Sequence, residues 1–270
     1  MLRKLLQKKA EQSLIECSTG THRLDLFYWK SKLGVNFGDY LSSVIVTKIA
    51  ADRGYFLDEE LAINKRLLAI GSVLHFAKDN DIVWGSGVNG KVDPKLHVFK
   101  QLDVRAVRGP LTRRYLMDRG ISVPEIYGDP ALLLPELLPM RFKRNVEAAK
   151  GSWIVPNLHD LPLVKEMENV ISPLQPWWRV VNQIIAAEYI ISSSLHGLVL
   201  ADAFGVPCRY LRISETENIF KYNDYALGVG RADLRFATSV DSAMDMGPMP
   251  AVGINTAPLR DAFPFDIWEG

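Results

Sequence analysis

The chain has 270 residues and a formal net charge of +1, and 48% of its residues are hydrophobic and 23% are charged. This composition is that of a folded globular protein and excludes a disordered, collagen-like or coiled-coil chain. Because 32 Lys and Arg are balanced by 31 Asp and Glu, no overall field would attract nucleic acid, and any anion must be bound by a local site.

The first 16 residues have the pattern of a short basic amphipathic helix, with Leu2, Leu5, Leu6 and Leu14 on one face. Such a helix either packs in the ordinary way or contacts a membrane surface. The segment lacks the apolar stretch of a secretory signal, and no run reaches the roughly 18 to 20 apolar residues of a membrane span. We expect a cytoplasmic protein, with peripheral contact at the inner face of the plasma membrane left open.

From residue 24 onward, strand-like and helix-like segments alternate, which predicts βα units and a mostly parallel sheet. The first half contains four predicted strands and two predicted helices. In chain order they are a strand over 24–29, a turn over 34–36, a helix over 39–51, strands over 66–71, 81–85 and 102–107, and a helix from Pro110 to Gly120.

A charged stretch over residues 140–151 precedes a fresh strand and predicts a domain boundary. We therefore predict an α/β protein of two Rossmann-like domains with mostly parallel sheets, residues 1–142 and 143–270, and a ligand cleft between them. Four prolines in the C-terminal tail predict an extended strap over 248–268 rather than a further domain. The second half is predicted to contain strands over 152–156, near Val170, over 189–192 and over 208–212, and helical segments over 159–168, 177–187 and 196–204.

The segment richest in candidate functional residues is 189–207. There an apolar strand ends at three serines, Ser192 to Ser194, and a helix begins near His196. Free amides at a helix N-terminus suit an anion, and His196 is a candidate anion ligand or general acid there. The alternative is a serine N-cap beside a histidine that packs against the sheet.

Three further residues follow predicted strands or open predicted helices. Arg108 precedes a proline at a helix start, which predicts a second anion site with Arg108 pointing into the cleft; surface clustering of arginines is the alternative. Asp129 and Asp39 are each either a helix cap or a catalytic carboxylate. Gly71–Ser72 and Gly85–Gly87 end two strands and either line the same cleft or form tight turns.

The sequence lacks the motifs of several other classes of enzyme and metal site. The chain has no Walker A loop, no H-E-x-x-H helix, no G-x-S-x-G elbow and no cysteine pair at zinc spacing. Its five histidines are scattered, so we expect no metal site. Cys17 and Cys208 lie far apart in the sequence, and a chain of this length needs no disulfide, which agrees with a reducing compartment.

Five motifs in order resemble the polysaccharide pyruvyl transferases, and in particular the bacterial exopolysaccharide branch. Two more segments, F-K-Y-N-D-Y and G-V-G-R at 220–231, carry the likeness to that branch. The five motifs are N-F-G-D-Y-L at 36–41, W-G-S-G at 84–87, V-R-G-P-L-T-R at 107–113, Y-G-D-P-A-L-L-L-P at 127–135 and S-S-S-L-H-G at 192–197.

The resemblance implies a GT-B-like fold, with the acceptor on the N-terminal domain and the donor on the C-terminal domain. It implies phosphoenolpyruvate as donor and co-substrate, with no further cofactor. The acceptor would be a hexose of an exopolysaccharide or lipid-linked repeat unit, and the product a cyclic pyruvate ketal with release of phosphate. Two alternatives remain open: a glycosyltransferase of the same fold that uses a nucleotide sugar, and a non-catalytic glycan-binding subunit.

The resemblance also implies site residues. Catalysis would fall to His196, Asp129 and Asp39. Members with a yeast-type pattern have Arg-Leu-His-Gly where this chain has Ser194 to Gly197. Another cation must therefore take the place of this arginine in binding phosphoenolpyruvate. The candidates are Arg105, Lys221 and Arg231. The implied donor-binding residues are Arg108, Ser193, Ser194, Leu195, His196, Gly197, Arg105, Lys221 and Arg231, and the implied acceptor-binding residues are Asn36, Trp84 and Ser86.

Overall fold

The computed structural model describes residues 22–215, 217–232 and 234–269. These residues form two parallel sheets with helices packed around them. The predicted basic helix over residues 1–16 and Cys17 lie outside the described residues. Within the described ranges, no helix is long and apolar enough to cross a membrane.

The first sheet has four strands in the order β1-β2-β3-β4, all parallel. All three residues of β3 are buried, which explains its continuous apolar sequence. The four predicted strands are confirmed; each ends one to three residues earlier than expected, and β2 also begins one residue earlier. The strands are β1 (Leu24–Phe27), β2 (Lys65–Leu68), β3 (Ile82–Trp84) and β4 (Asp103–Ala106).

The first helix, α1 (Phe37–Ala51), begins two residues before the predicted Asp39. The Asn36 side chain caps it by accepting a hydrogen bond from the Gly38 N–H at 2.9 Å. Its buried residues recur every four positions, so one face of the helix packs on the core. Two further helices follow in this half, α2 (Pro110–Met117) and, after a 3₁₀ turn (Pro130–Leu133), α3 (Leu134–Leu137).

The second sheet has three parallel strands in the order β5-β6-β7. The tight fit between β6 and the helix after it depends on Gly197, because a Cβ at this position would overlap the Ser192 hydroxyl. The elements are β5 (Ser152–Val155), α4 (Leu161–Val164), α5 (Trp177–Ile185), β6 (Tyr189–Ser192), α6 (Leu195–Ala203), β7 (Cys208–Tyr210) and α7 (Phe220–Gly228).

Two predicted elements of the second half are much shorter in the structure. The helical segment expected over 159–168 is the single turn α4, and the strand expected near Val170 is an isolated parallel bridge to Ile154. Asn169, in the turn immediately before the bridge, adopts a left-handed conformation with φ of 59°.

The C-terminal tail returns to the first sheet. After α8 (Val240–Met246), residues 247–256 form no helix or strand, and two short helices follow, α9 (Ala257–Asp261) and α10 (Asp266–Glu269). The strap predicted over 248–268 is therefore extended in its first part and helical in its second. The Trp84 indole N–H donates to the Leu259 carbonyl at 2.7 Å, and the Phe263 ring packs edge-on against Trp84 at 4.8 Å between centroids. The tail therefore completes the core of the first half.

The mixed α/β architecture with parallel sheets is confirmed. The residues between α3 and β5, 138–151, form no helix or strand. The largest buried apolar cluster includes side chains of both sheets, such as Trp84 and Ile190. The division into domains at residues 142 and 143 stays a prediction.

Candidate active site

A pocket of about 370 Å³ is lined by residues that follow the carboxyl ends of strands in both sheets. Loops and helix N-termini gather at these ends in parallel sheets, so polar groups from distant parts of the chain converge there. The first half contributes Asn36, Asp39, Ser72 and Asn89, and the second half contributes Asn157, Ser194, His196 and Lys221.

His196 lies in the first turn of α6 with a side chain that is 12% exposed. The Ser194 hydroxyl caps this helix by accepting from the Gly197 N–H at 3.3 Å. No described residue accepts a hydrogen bond from the N–H groups of Leu195 and His196, which lie in the first turn of α6. Unpaired N–H groups at a helix N-terminus favour an anion. Burial, with Lys221 and Arg108 nearby, lowers the pKa of His196 to about 3, so the imidazole is neutral at pH 7.

Asp129 caps a 3₁₀ turn with one carboxyl oxygen and faces His196 with the other. Its Oδ1 accepts from the Ala131 N–H at 3.0 Å and so caps the 3₁₀ turn. Its Oδ2 is buried without a hydrogen-bond partner and lies 3.6 Å from His196 Nε2, whose own bonding capacity is also unused. Burial raises the pKa of Asp129 to about 6, against the opposing effects of the Ala131 N–H and Arg108.

Asp39 lines the pocket from the first turn of α1. Burial raises its pKa to about 7; Lys221 opposes this shift and Asp129 adds to it. A carboxyl with this pKa exchanges its proton near neutral pH, as a general base or acid requires.

Lys221, in the first turn of α7, has the only ammonium or guanidinium group among the described lining residues. It forms an ion pair with Glu217, which also pairs with Lys91. Burial lowers the pKa of Lys221, and Glu217 opposes that shift. Glu217, which does not line the pocket, thus holds the Lys221 ammonium group at the pocket.

Arg108 does not line the pocket, and its side chain is 1% exposed. Its Nε donates to Asp224 at 3.0 Å, its Nη1 to the Ser72 hydroxyl at 2.6 Å and its Nη2 to the Val88 carbonyl at 2.7 Å. Instead of pointing into the cleft as a free donor, Arg108 holds Ser72, a residue that does line the pocket. Space for the guanidinium exists because Gly87 has no side chain.

Two of the three cations that were candidates to replace the missing arginine lie outside the pocket. Arg105 pairs with Asp103 and Asp266, and Arg231 pairs with Asp202 at 2.8 Å; neither lines the pocket. Because neither side chain lines the pocket, neither is placed to contact an anion there. Lys221 is therefore the candidate that the structure brings to His196.

Of the three residues implied for acceptor binding, the structure places one at the pocket and two in the core. Asn36 lines the pocket. Trp84 is fully buried in the core, and Ser86 is fully buried with its hydroxyl donating to the Gly71 carbonyl at 2.8 Å. Neither of these two side chains has exposed surface to offer a sugar.

The remaining residues of the serine-rich turn have structural contacts. The Ser193 hydroxyl accepts from the Asn157 N–H at 3.1 Å and so joins the ends of β5 and β6, while Gly197 allows α6 to pack closely on β6. Ser194 and Leu195 line the pocket together with His196.

Sequence reasoning did not identify several lining residues, among them Trp29, His75, Phe76, Asn89, Asn157 and His159. The signal for the two asparagines is their position, since Asn89 and Asn157 each follow a strand by a few residues. In the described part of the chain, no three His, Cys, Asp or Glu side chains are grouped so as to hold a metal ion.

Residues 36–215 match the polysaccharide pyruvyl transferase family. The matched range contains the pocket residues Asn36, Asp39 and His196 and ends before Lys221. Two thirds of the chain are thus covered by one family.

Two curated proteins are similar over most of the chain. The succinoglycan biosynthesis protein ExoV of Rhizobium meliloti is 33% identical over 76% of this chain, and the chain covers 64% of that relative's length. An uncharacterized protein of Acanthamoeba polyphaga mimivirus is 23% identical over 77% of this chain and 76% of its own.

Among solved structures, a functionally uncharacterized protein of Klebsiella pneumoniae superposes with a TM-score of 0.51. The alignment covers 86% of this chain and 98% of the other, at 14% sequence identity. At this identity the similarity concerns the fold alone.

Proposed function

We propose, because this chain belongs to the polysaccharide pyruvyl transferase family, that it transfers the enolpyruvyl group of phosphoenolpyruvate to a hexose of an exopolysaccharide or of its lipid-linked repeat unit. The product is a cyclic pyruvate ketal, and phosphate is released. The similarity to a succinoglycan biosynthesis protein supports exopolysaccharide pyruvylation in general. The proposal includes a GT-B-like pair of domains, reaction in the pocket between them, and action on a cytoplasmic acceptor that requires no further cofactor.

One observation carries the proposal: Lys221, His196 and the N-terminus of α6 line the pocket that also holds Asp39. Phosphoenolpyruvate has a phosphate and a carboxylate on one small frame, so its site needs two sets of hydrogen-bond donors at a fixed separation. The N-terminus of α6 supplies one set. Lys221 supplies the other.

Lys221 takes the place of the arginine that this chain lacks before Leu195. The lysine stands on another helix, so the cation reaches the donor from the side of α7 instead of from the turn before α6. Arg108 acts indirectly by orienting the Ser72 hydroxyl.

His196 binds the donor and delivers a proton to it. The imidazole is neutral at pH 7, and the negative charges of phosphoenolpyruvate would raise its pKa toward the range in which it exchanges a proton. Asp129 is a positioning residue, because its free oxygen faces His196 Nε2 and it does not line the pocket.

Asp39 is the base toward a hydroxyl of the acceptor sugar. It is the pocket carboxyl with a pKa near 7, so at neutral pH a large fraction is ionised and able to accept a proton. Its burial makes the ionised form costly, and accepting the hydroxyl proton relieves that cost.

The reaction balances in protons and bonds. A proton adds to the methylene carbon of phosphoenolpyruvate, the first sugar hydroxyl bonds to C2, the C2–phosphate oxygen bond breaks, and the second hydroxyl closes the ring. Two hydroxyl protons are lost, of which one supplies the new methyl group and the other leaves with the phosphate.

The proposal is tested by thermal unfolding with phosphoenolpyruvate or with a panel of nucleotide sugars, because a ligand at 100 times its Kd adds about 2.7 kcal/mol to the free energy of unfolding. We expect stabilisation by phosphoenolpyruvate alone. Lys221→Gln and His196→Gln should each abolish it, whereas the control Lys165→Gln, at an exposed lysine outside the pocket, should retain it.

Stabilisation by a nucleotide sugar alone would instead indicate a glycosyltransferase. Binding of a glycan with no consumption of phosphoenolpyruvate would indicate a non-catalytic subunit. Turnover that stays normal in both His196→Gln and His196→Ala would remove His196 from the mechanism.

A further inference from the structure

An aromatic stack stands at the pocket. The Trp29 ring is stacked on the Phe76 ring with centroids 5.5 Å apart and an interplanar angle of 21°. Phe76 in turn packs against Phe27 of β1 at 5.3 Å. One face of Trp29 is therefore held by the first sheet, while the residue as a whole is 47% exposed.

The stack belongs to the same pocket as the catalytic groups. Trp29 and Phe76 line it together with Asp39 and His196, and Asn36 and Ser31 add polar groups from the same loop. The stack faces the pocket from the first half of the chain, whereas Lys221 and α6 line it from the second half. The pocket thus combines an aromatic surface from one half with a cationic surface from the other.

We infer that Trp29 is the platform on which the pyranose ring of the acceptor hexose stacks, beside the base Asp39; this inference rests on the proposed function. A pyranose has a face of C–H groups that packs on an aromatic ring and a rim of hydroxyls that need hydrogen-bond partners. Trp29 offers the flat surface, and Asn36 and Ser31 offer partners for the rim. Because Phe76 already holds the indole in place, little side-chain freedom is lost on binding.

Other ligands fit the exposed face of Trp29 less well than a pyranose does. Phosphoenolpyruvate is small and anionic, with no ring to stack, and the cationic surface lies on the opposite half. Trp84, the residue that the family resemblance suggests for this task, is fully buried and unavailable. A lipid surface is the competing partner for this loop, since Leu33 and Val35 are 72% and 56% exposed in the same segment.

The experiment is saturation-transfer NMR on the full chain with methyl β-D-glucopyranoside and methyl β-D-galactopyranoside as probes. We expect transfer to the sugar C–H protons of at least one probe. The Trp29→Ala variant should weaken its binding at least tenfold, and Trp29→Phe should restore most of it. The matched control is Trp178→Ala, because Trp178 is also exposed, at 38%, and does not line the pocket.

A second readout separates the inference from the function on which it rests. Stabilisation by phosphoenolpyruvate should be the same in native protein, Trp29→Ala and Trp178→Ala, and the acceptor KM, once turnover is measured, should rise in Trp29→Ala with little change in the donor KM. The native protein could bind the pyranoside through Trp29 and yet never be stabilised by phosphoenolpyruvate. That result would overturn the proposed function and support the role of Trp29 as a sugar platform.

Three results would overturn the platform. The first is the absence of transfer to any probe from native protein, and the second is transfer that survives in Trp29→Ala. The third is sedimentation with anionic phospholipid vesicles that Trp29→Ala abolishes while pyranoside binding is unchanged, which would assign the loop to a membrane surface.

Discussion

At the scale of single residues, burial shifts the pKa values of the ionisable groups at the site in the direction that favours their neutral forms. Asp39 and Asp129 have raised pKa values and His196 has a lowered one, and in each case burial is the main cause. Perturbed groups of this kind are typical of catalytic sites. They also carry a cost, because a carboxyl that is difficult to ionise in the folded chain lowers the stability once it does ionise.

The first residue-scale prediction concerns Asp39, whose pKa rises from 3.8 to about 7 on folding. The folded chain holds this proton more tightly than the unfolded chain does. The stabilising effect is fully present below pH 4 and is lost as the pH rises through 7. Asp39→Asn should therefore be more stable than native protein at pH 8, by on the order of 2 kcal/mol, and similar to it near pH 4.

The same variant should lose at least about 100-fold in turnover, because a general base typically contributes this much or more. Denaturant titrations at pH 4, 6 and 8 measure the stability, and phosphate release measures the activity. Asp245→Asn, at an exposed position, serves as the control. Identical stability profiles for Asp39→Asn and native protein would mean that Asp39 ionises normally.

At the scale of elements, two helix N-termini from different halves meet at His196. Gly38 in the first turn of α1 lies directly against the imidazole, so that a Cβ added at this position would overlap the ring. The edge of Phe37 also faces His196, with ring centroids 6.5 Å apart. The orientation of the histidine is thus set by α1 as much as by α6.

This contact predicts the effect of Gly38→Ala. In an exposed helix the change would stabilise by up to about 1 kcal/mol, because alanine favours helix. Here it should displace His196 and reduce turnover at least tenfold. Gly253→Ala is the matched control, because no atom lies within 4 Å of its added Cβ and its φ is not left-handed.

Circular dichroism should show that both glycine variants fold, and stabilisation by phosphoenolpyruvate should be lost only in Gly38→Ala. Equal activity in the two variants would show that the pocket tolerates a shift of His196, and the proposed role of its position would then be wrong.

At the scale of the whole molecule, the two halves are joined by a buried ion pair. Asp224 on α7 accepts from Arg108 and from both the N–H and the hydroxyl of Thr112 on α2, at 2.6 to 3.0 Å. Gly109 and Gly228 let the two segments approach, because a side chain on either would overlap the other segment's backbone. The same helix α7 carries Lys221 into the pocket.

Asp224→Ala should destabilise the protein by about 3 to 5 kcal/mol, because it leaves the Arg108 guanidinium buried without its counter-charge. The exposed carboxyl Glu166 is the control, and Glu166→Ala should change stability by less than about 0.5 kcal/mol. Chemical denaturation measures both effects.

A double-mutant cycle with Arg108→Ala isolates the pair. If the double variant is less destabilised than the sum of the two single variants, the charges are coupled as the structure shows. Strict additivity would contradict the buried pair.

Much of the fold was predictable because the signals are local. The period of four in α1 and the apolar run of β3 each involve residues within a few positions of one another. A cap at Asp39 was one of two alternatives for that residue, whereas the structure has Asn36 as the cap of α1. Where local signals were weak, as in residues 159–168 and in the tail with its four prolines, the predicted elements were wrong in length or conformation.

The sequence by itself determined the parallel α/β architecture and the strand ends at which the pocket forms, because backbone hydrogen bonding and side-chain periodicity are properties of short segments. Only the tertiary structure decided that Arg108 turns onto Asp224, 116 residues away, that Lys221 and not Arg105 reaches His196, and that Trp29 replaces Trp84 at the pocket. Ion-pair partners, burial and pKa values depend on contacts between residues far apart in sequence, which no local pattern records.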